Sequence, residues 1–217
     1  MKKNLTELVL IIDESGSMFD LREDTIGGIN SVLEEQKKKD GEVIVSTVMF
    51  NNTTRVLHDR IPLDRMEKLG NGDYNPGGMT ALLDAVGGAI HHIGNIHKYA
   101  RNEDVPEHTL FVITTDGLEN ASRRYSSDKV KKMIKRQQEK YGWEFIFLGA
   151  NIDSVETAGA FGIDESRAVN YNADKKGTRT MFRAVSAAFT EIRGGRALGK
   201  ENCAWREEAD EDYNNRC

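Results

Sequence analysis

The chain has 217 residues, enough for one medium domain with a short extension or for two small ones, and enough to bury a core without disulfides. It is 38% hydrophobic and 30% charged with a formal net charge of -5, a weakly acidic balance that gives no basis for nucleic acid or an anionic membrane as the main partner. The opening Met1-Lys2-Lys3 leads only to the five apolar residues Leu8 to Ile12, which excludes the apolar region of a signal peptide; no stretch approaches the roughly 18 apolar residues of a membrane span.

Leu5 to Ile12 is rich in Val, Ile and Leu and ends on polar residues, the pattern of a buried strand. Arg22 to Lys39 follows, with Ile26, Ile29 and Leu33 at the spacing of an amphipathic helix. Glu42 to Phe50 and Thr53 to Asp59 are strands parted by Asn51-Asn52; asparagine tolerates left-handed backbone, which predicts a tight antiparallel hairpin. Ile61 to Gly78 is irregular, holding Pro62, Pro76, Gly70, Gly72, Gly77 and Gly78. A helix is expected over Ala81 to Tyr99, then a strand over Thr109 to Thr115 closed by Asp116-Gly117. A basic helix covers Asp128 to Lys140, an apolar strand Trp143 to Leu148, a short helix Asp153 to Phe161 and a short strand Arg167 to Asn170. The helix Asp174 to Ile192 turns Met181, Val185, Ala188, Phe189 and Ile192 inward.

Alternating strands and helices predict an α/β fold: a doubly wound, mainly parallel central sheet with one antiparallel edge strand and helices on both faces. The domain is expected to occupy residues 1–195, closed by Gly194-Gly195. Residues 196–217 are expected to form a mobile acidic tail, since Leu198 to Cys217 holds six acidic and three basic residues with little apolar content. Cys203 and Cys217 are the only cysteines, so the core holds none and the expected location is the cytoplasm.

In such a sheet, ligands sit beyond the carboxyl ends of the strands. Asp13, Ser15 and Ser17 follow the first strand, and alternate positions of an extended segment point the same way while Gly16 permits a tight turn. Thr80 opens a helix after Gly77-Gly78, and Asp116 follows the Thr109 to Thr115 strand. Two carboxylates and three hydroxyls form an oxygen-only donor set, which favours magnesium or manganese; calcium is less well suited because it takes more carboxylate or carbonyl ligands.

The pattern D-x-S-x-S, a distant Thr and a distant Asp resembles the von Willebrand factor A family and its metal-ion-dependent adhesion site. Gly77-Gly78-Met79-Thr80-Ala81-Leu82 and Thr114-Thr115-Asp116-Gly117 extend the resemblance, which covers about residues 5 to 193. It implies that Ser15, Ser17 and Thr80 touch the ion while Asp13 and Asp116 act mainly through water. It implies, further, a non-enzymatic module that grips an Asp or Glu of a protein partner through the metal. A small stand-alone bacterial or phage member would serve a multiprotein assembly or an ATPase, and in some relatives the last helix, here Asp174 to Ile192, shifts on binding.

Each residue also has a plainer use. Ser15, Ser17 or Thr80 could cap helices, and Asp116-Gly117 is an ordinary turn signal. His91, His92 and His97 lack acidic companions and read as a solvated helix face, as does the run Lys129, Lys131, Lys132, Lys135 and Arg136. Met181, Phe182 and Phe189 read as core, and Asp153-Ser154-Val155-Glu156 as a helix start. The alternative function is a magnesium-dependent phosphotransfer enzyme or phosphatase on a similar sheet. A dehalogenase-type phosphatase would need a second aspartate at position 15, where serine stands, and there is no G-x-G-x-x-G or G-x-S-x-G motif.

Overall fold

Strand β1 (Lys2–Asp13) is the axis of the molecule, because its run of apolar residues is buried from both sides. Leu8, Leu10 and Ile12 enter one core, while Val9 and Ile11 enter the other, as the twofold period of a strand requires. The computed structural model describes residues 1–216 and arranges six strands in the order β3-β2-β1-β4-β5-β6. β2 (Glu42–Phe50) and β4 (Pro106–Thr115) flank β1 in parallel, and β5 (Glu144–Ala150) and β6 (Ala168–Tyr171) continue that direction. β3 (Thr54–Pro62) is the antiparallel edge strand. The sheet is therefore mainly parallel with one antiparallel edge, as expected.

The first core lies under α1 (Arg22–Lys37) and α5 (Lys175–Arg193); the second lies under α2 (Leu82–Tyr99), α3 (Ser127–Tyr141) and the short α4 (Ser154–Ala160). Met181, Phe182 and Phe189 belong to the first core. The Asp153 side chain accepts the Glu156 N–H at 2.9 Å, so that segment is indeed a capped helix start. α1 and α5 pack closely because Gly28 leaves room for Phe182: a Cβ there would stand 2.0 Å from the ring. Phe182 is buried and cannot swing away, so Gly28→Ala should cost about 1–3 kcal/mol in urea unfolding, the usual range for an overpacked core.

The β2-β3 hairpin departs from expectation in its chemistry. Neither Asn51 nor Asn52 has a positive φ; the turn is closed by the Asn51 Oδ1, which accepts the Thr53 N–H at 3.1 Å. Further along, the register slips between Val45 and Thr47, and Arg60 takes a φ of 54°. The Ser46 hydroxyl holds the Arg60 N–H at 3.0 Å, and this bulge turns the guanidinium toward Glu7 of β1.

Glu7 is fully buried, with its Oε2 2.5 Å from His97 Nε2 and its Oε1 3.0 Å from Arg60 Nε. The Arg60 approach is an ion contact without hydrogen-bond geometry. His97 also sits edge-on to Trp143. It is thus removed from the solvated face assigned to it by its sequence context, whereas His91 and His92 are exposed. Helix periodicity alone could not show this, because the acid that draws His97 inward lies 90 residues away.

The C-terminal segment also differs from the expected mobile tail. Leu198, Trp205 and Ala209 are buried in the first core, the last on α6 (Glu207–Asn214). Two of the acidic side chains that made the segment look unstructured pair with cations on α5: Glu208 with Arg183 at 2.6 Å, and Asp212 with Lys176 at 2.5 Å. Cys203 is exposed and has no disulfide partner among the described residues, and Cys217 lies outside them. Among the described residues no helix is long and apolar enough to cross a membrane.

Candidate metal centre

Strand order reverses between β1 and β4, and a parallel sheet opens its ligand crevice beyond the carboxyl ends of the strands at such a point. β1 ends on Asp13, and β4 ends on Thr115 just before Asp116, with Ile12 paired to Thr114. The adjoining strands thereby deliver two carboxylates to one place. Asp13 Oδ1 accepts the Ser15 N–H at 2.7 Å, and its Oδ2 accepts the Thr115 hydroxyl at 2.6 Å. The Ser17 hydroxyl donates to Asp116 Oδ1 at 2.6 Å and lies 3.2 Å from Ser15 Oγ. Asp13, Ser15, Thr80 and Asp116 are buried, and Ser17 is the exposed mouth of the group.

Thr80 reaches the cluster by a different route. The Gly16 N–H donates to Gly78 O at 3.1 Å and the Gly77 N–H to Glu14 O at 2.9 Å, so the two loops are stitched together. Gly78 has a φ of 82°, and a Cβ there would meet Asn52 Oδ1 at 2.0 Å; only glycine fits. Gly117, next to Asp116, lies against Thr80: a Cβ on it would stand 3.6 Å from the Thr80 hydroxyl. The five residues singled out in the sequence therefore come together from three touching loops.

The capping alternative for the hydroxyls does not describe this geometry. Ser15 precedes a 3-10 turn, Gly16–Leu21, but its side chain makes no capping bond. Ala81, not Thr80, sits at the start of α2, and Thr80 Oγ1 has no hydrogen-bond partner among the described residues. The orphan N–H groups of that helix are satisfied otherwise: Glu119 Oε2 takes Leu83 N at 2.8 Å and Ser122 Oγ takes Asp84 N at 2.9 Å.

Several supporting residues were not visible in the sequence. The Tyr74 hydroxyl donates to Asp13 O at 2.5 Å, and burial pushes its phenol well above the usual range, so it remains a donor. Buried Glu14 accepts the Asn75 N–H at 2.5 Å and pairs with Arg55 at 2.9 Å. Thr115, noted only as part of a phrase, anchors Asp13. Nothing short of three-dimensional proximity distinguishes Tyr74 from any other loop aromatic.

Electrostatically the cluster is unbalanced. Burial raises the Asp13 carboxyl above its ordinary range, hydrogen bonds from Ser15 and Thr115 pull it partly back, and Asp116 pushes it up again. Burial likewise raises Asp116, against the bond from Ser17. Neither carboxylate has a basic partner among the described residues; Arg55 is spent on Glu14. Nor do three His, Cys, Asp or Glu side chains gather anywhere among them, so an ion here would depend largely on hydroxyls.

No family profile and no curated protein matches the sequence. Solved structures do match its shape. Proximal thread matrix protein 1 from the mussel byssus overlays 84% of this chain with a TM-score of 0.58 at 13% identity. A von Willebrand factor type A protein from Catenulispora acidiphila overlays 84% with a TM-score of 0.56 at 15% identity. The ArnB paralog VWA2 from Sulfolobus acidocaldarius overlays 87% with a TM-score of 0.52 at 16% identity. The chain has the von Willebrand factor A fold. It spans less than half of each of those chains, 45%, 42% and 45% respectively. A further structure of the mussel protein, with a TM-score of 0.57 at 13% identity, carries a zinc-occupied MIDAS motif.

Elsewhere on this vWA fold the basic side chains of α3 stand in solvent, with Lys135 only 3.6 Å from Glu139. That is the solvated face expected of them.

Proposed function

We propose that this chain is a metal-dependent protein-binding module, with a divalent ion held at Asp13, Ser15, Ser17, Thr80 and Asp116. The observation that carries the reading is a pair of buried carboxylates with no basic partner among the described residues, beside hydroxyls not used for capping. A cation supplies the missing positive charge. The zinc-occupied motif of the mussel protein supports a divalent ion at this position of the fold. The oxygen-only donors of this chain favour magnesium or manganese over zinc.

Ser15, Ser17 and Thr80 are the direct ligands in this reading. Asp13 positions the Ser15 backbone, since both of its oxygens are already engaged by Ser15 and Thr115. Bound there, the ion would act as a Lewis acid toward an anion. Three neutral hydroxyls leave its charge open to a carboxylate from a partner protein, a subunit of a larger assembly. We read the site as one that holds without turnover, and its cysteine-free core as suited to the cytoplasm.

Calorimetric titration with magnesium tests the ligand set. Ser15→Ala and Thr80→Ala should each weaken binding by about tenfold or more, while melting in chelator stays within about 1 kcal/mol of the parent. Unchanged affinity in both variants would sink the assignment. Magnesium-dependent phosphatase turnover that vanishes in Asp13→Ala would move the chain to the enzymatic alternative.

A further inference from the structure

Eight large hydrophobic side chains are exposed among the described residues, and three stand within two positions of a candidate ligand. Phe19 (68% exposed) lies two residues after Ser17, Met79 (48%) just before Thr80, and Leu118 (63%) two residues after Asp116. Single exposed hydrophobics are ordinary, but convergence on one site is not. The three come from separate loops that meet at the cluster through the Gly16–Gly78 bond and the Gly117–Thr80 contact. Phe19 is no casualty of a poor core, because Met18 and Leu21 of the same short turn are buried.

The loop beside them is held stiffly. Glu119 Oε1 accepts the Ala121 and Ser122 N–H groups at 2.9 and 2.7 Å, and Asp84 accepts those of Arg123, Arg124 and Tyr125 at 3.0, 2.8 and 2.9 Å. A groove runs between Asn52, Met79, Asn120 and Arg123. Asn52 and Asn120 use their Oδ1 atoms on the Met79 and Thr80 N–H groups, which leaves their amide nitrogens as donors. Arg123 and Arg124 are exposed and add positive charge. A surface fixed before binding loses little entropy when it is covered.

We infer that the metal end is a composite docking surface for a protein segment in which an Asp or Glu is flanked, within two residues, by large apolar side chains. This rests on the metal-bridged reading above and narrows its partner. Charge complementarity selects the occupant: the ion and the two arginines require an acid and repel a basic segment. The apolar neighbours of that acid cover Phe19, Met79 and Leu118, and its backbone carbonyls meet the groove amides.

The test is a peptide array with a central Asp or Glu and flanking positions drawn from Gly, Ser, Lys, Leu and Phe, probed with the full chain in magnesium and in chelator. Leu or Phe flanks should give at least about tenfold more magnesium-dependent capture than Gly or Ser flanks. The preference should disappear in Phe19→Ser and Leu118→Ser, whose magnesium affinity by calorimetry and melting temperature should match the parent. Met79→Gln provides an independent third variant. Magnesium-dependent capture that ignores the flanks overturns the docking surface while sparing the metal bridge. No capture above chelator overturns both. Capture of apolar peptides that survives chelator also overturns the inference. So does sedimentation with phosphatidylserine vesicles that is lost in Phe19→Ser, which would assign the apolar ring to a lipid surface.

Discussion

In chelator, the Asp13→Asn variant should melt about 3–6 °C above the parent, and magnesium should no longer raise its midpoint. The carboxylate is buried beside a second one, and neither has a basic partner among the described residues, so the metal-free fold carries uncompensated charge. Asparagine removes one charge and keeps the contacts. Its Oδ1 can accept the Ser15 N–H, and its Nδ2 can donate to Thr115 Oγ1. The threonine proton then turns to Gly117 O, already 3.0 Å away. The gain corresponds to about 1–2 kcal/mol. In the parent, magnesium at a hundred times its Kd should add about 2.7 kcal/mol, and the variant forfeits this.

The same charge sets a pH dependence of unusual sign. A carboxyl whose pKa is raised on folding binds its proton more tightly in the folded state. Metal-free stability from this group therefore rises as pH falls from the raised value toward the ordinary 3.8. The stability difference between Asp13→Asn and the parent should shrink through that window and vanish below it. A variant that melts lower than the parent in chelator and still responds to magnesium would refute the account.

The largest loss of stability is expected halfway along β1. Glu7→Ala should cost about 3 kcal/mol, because it strands Arg60 and His97 against a core shaped around a carboxylate. Glu7→Gln keeps the shape and a hydrogen bond, and should cost about half as much. Six residues of strand, about 20 Å, separate Glu7 from Asp13. Magnesium affinity of the folded variants should therefore be unaltered. Urea unfolding gives the first quantity and calorimetry the second. If Glu7→Ala unfolds within about 1 kcal/mol of the parent, the ion cluster does not hold the middle of the sheet.

What could be read from the chain was what repeats locally. The alternation in β1, the stripes of α2 and α5 and the glycine pairs before Thr80 and after Ile192 identified elements and order. The D-x-S-x-S spacing and the two distant residues identified the loops that do meet. What could not be read depended on partners far along the chain. His97 looks solvated until Glu7 is placed beneath it, and Tyr74 is anonymous until its hydroxyl reaches Asp13. The C-terminal segment looked unstructured because its acids dominate its composition, yet Leu198, Trp205 and Ala209 suffice to seat it once α5 offers Arg183 and Lys176. Asn51 was read for its backbone tolerance when its side chain closes the turn.

The bulge at Arg60 also governs what the sheet refuses. β3 is an open edge, and an open edge is a template on which another chain can polymerise by backbone pairing. Here the register slip breaks the ladder midway, and Arg55, His58 and Asp59 place polar groups along it. Strand addition is thereby discouraged along this edge of the sheet, and the metal-bridged function we propose leaves recruitment to the loops at the carboxyl ends of β1 and β4.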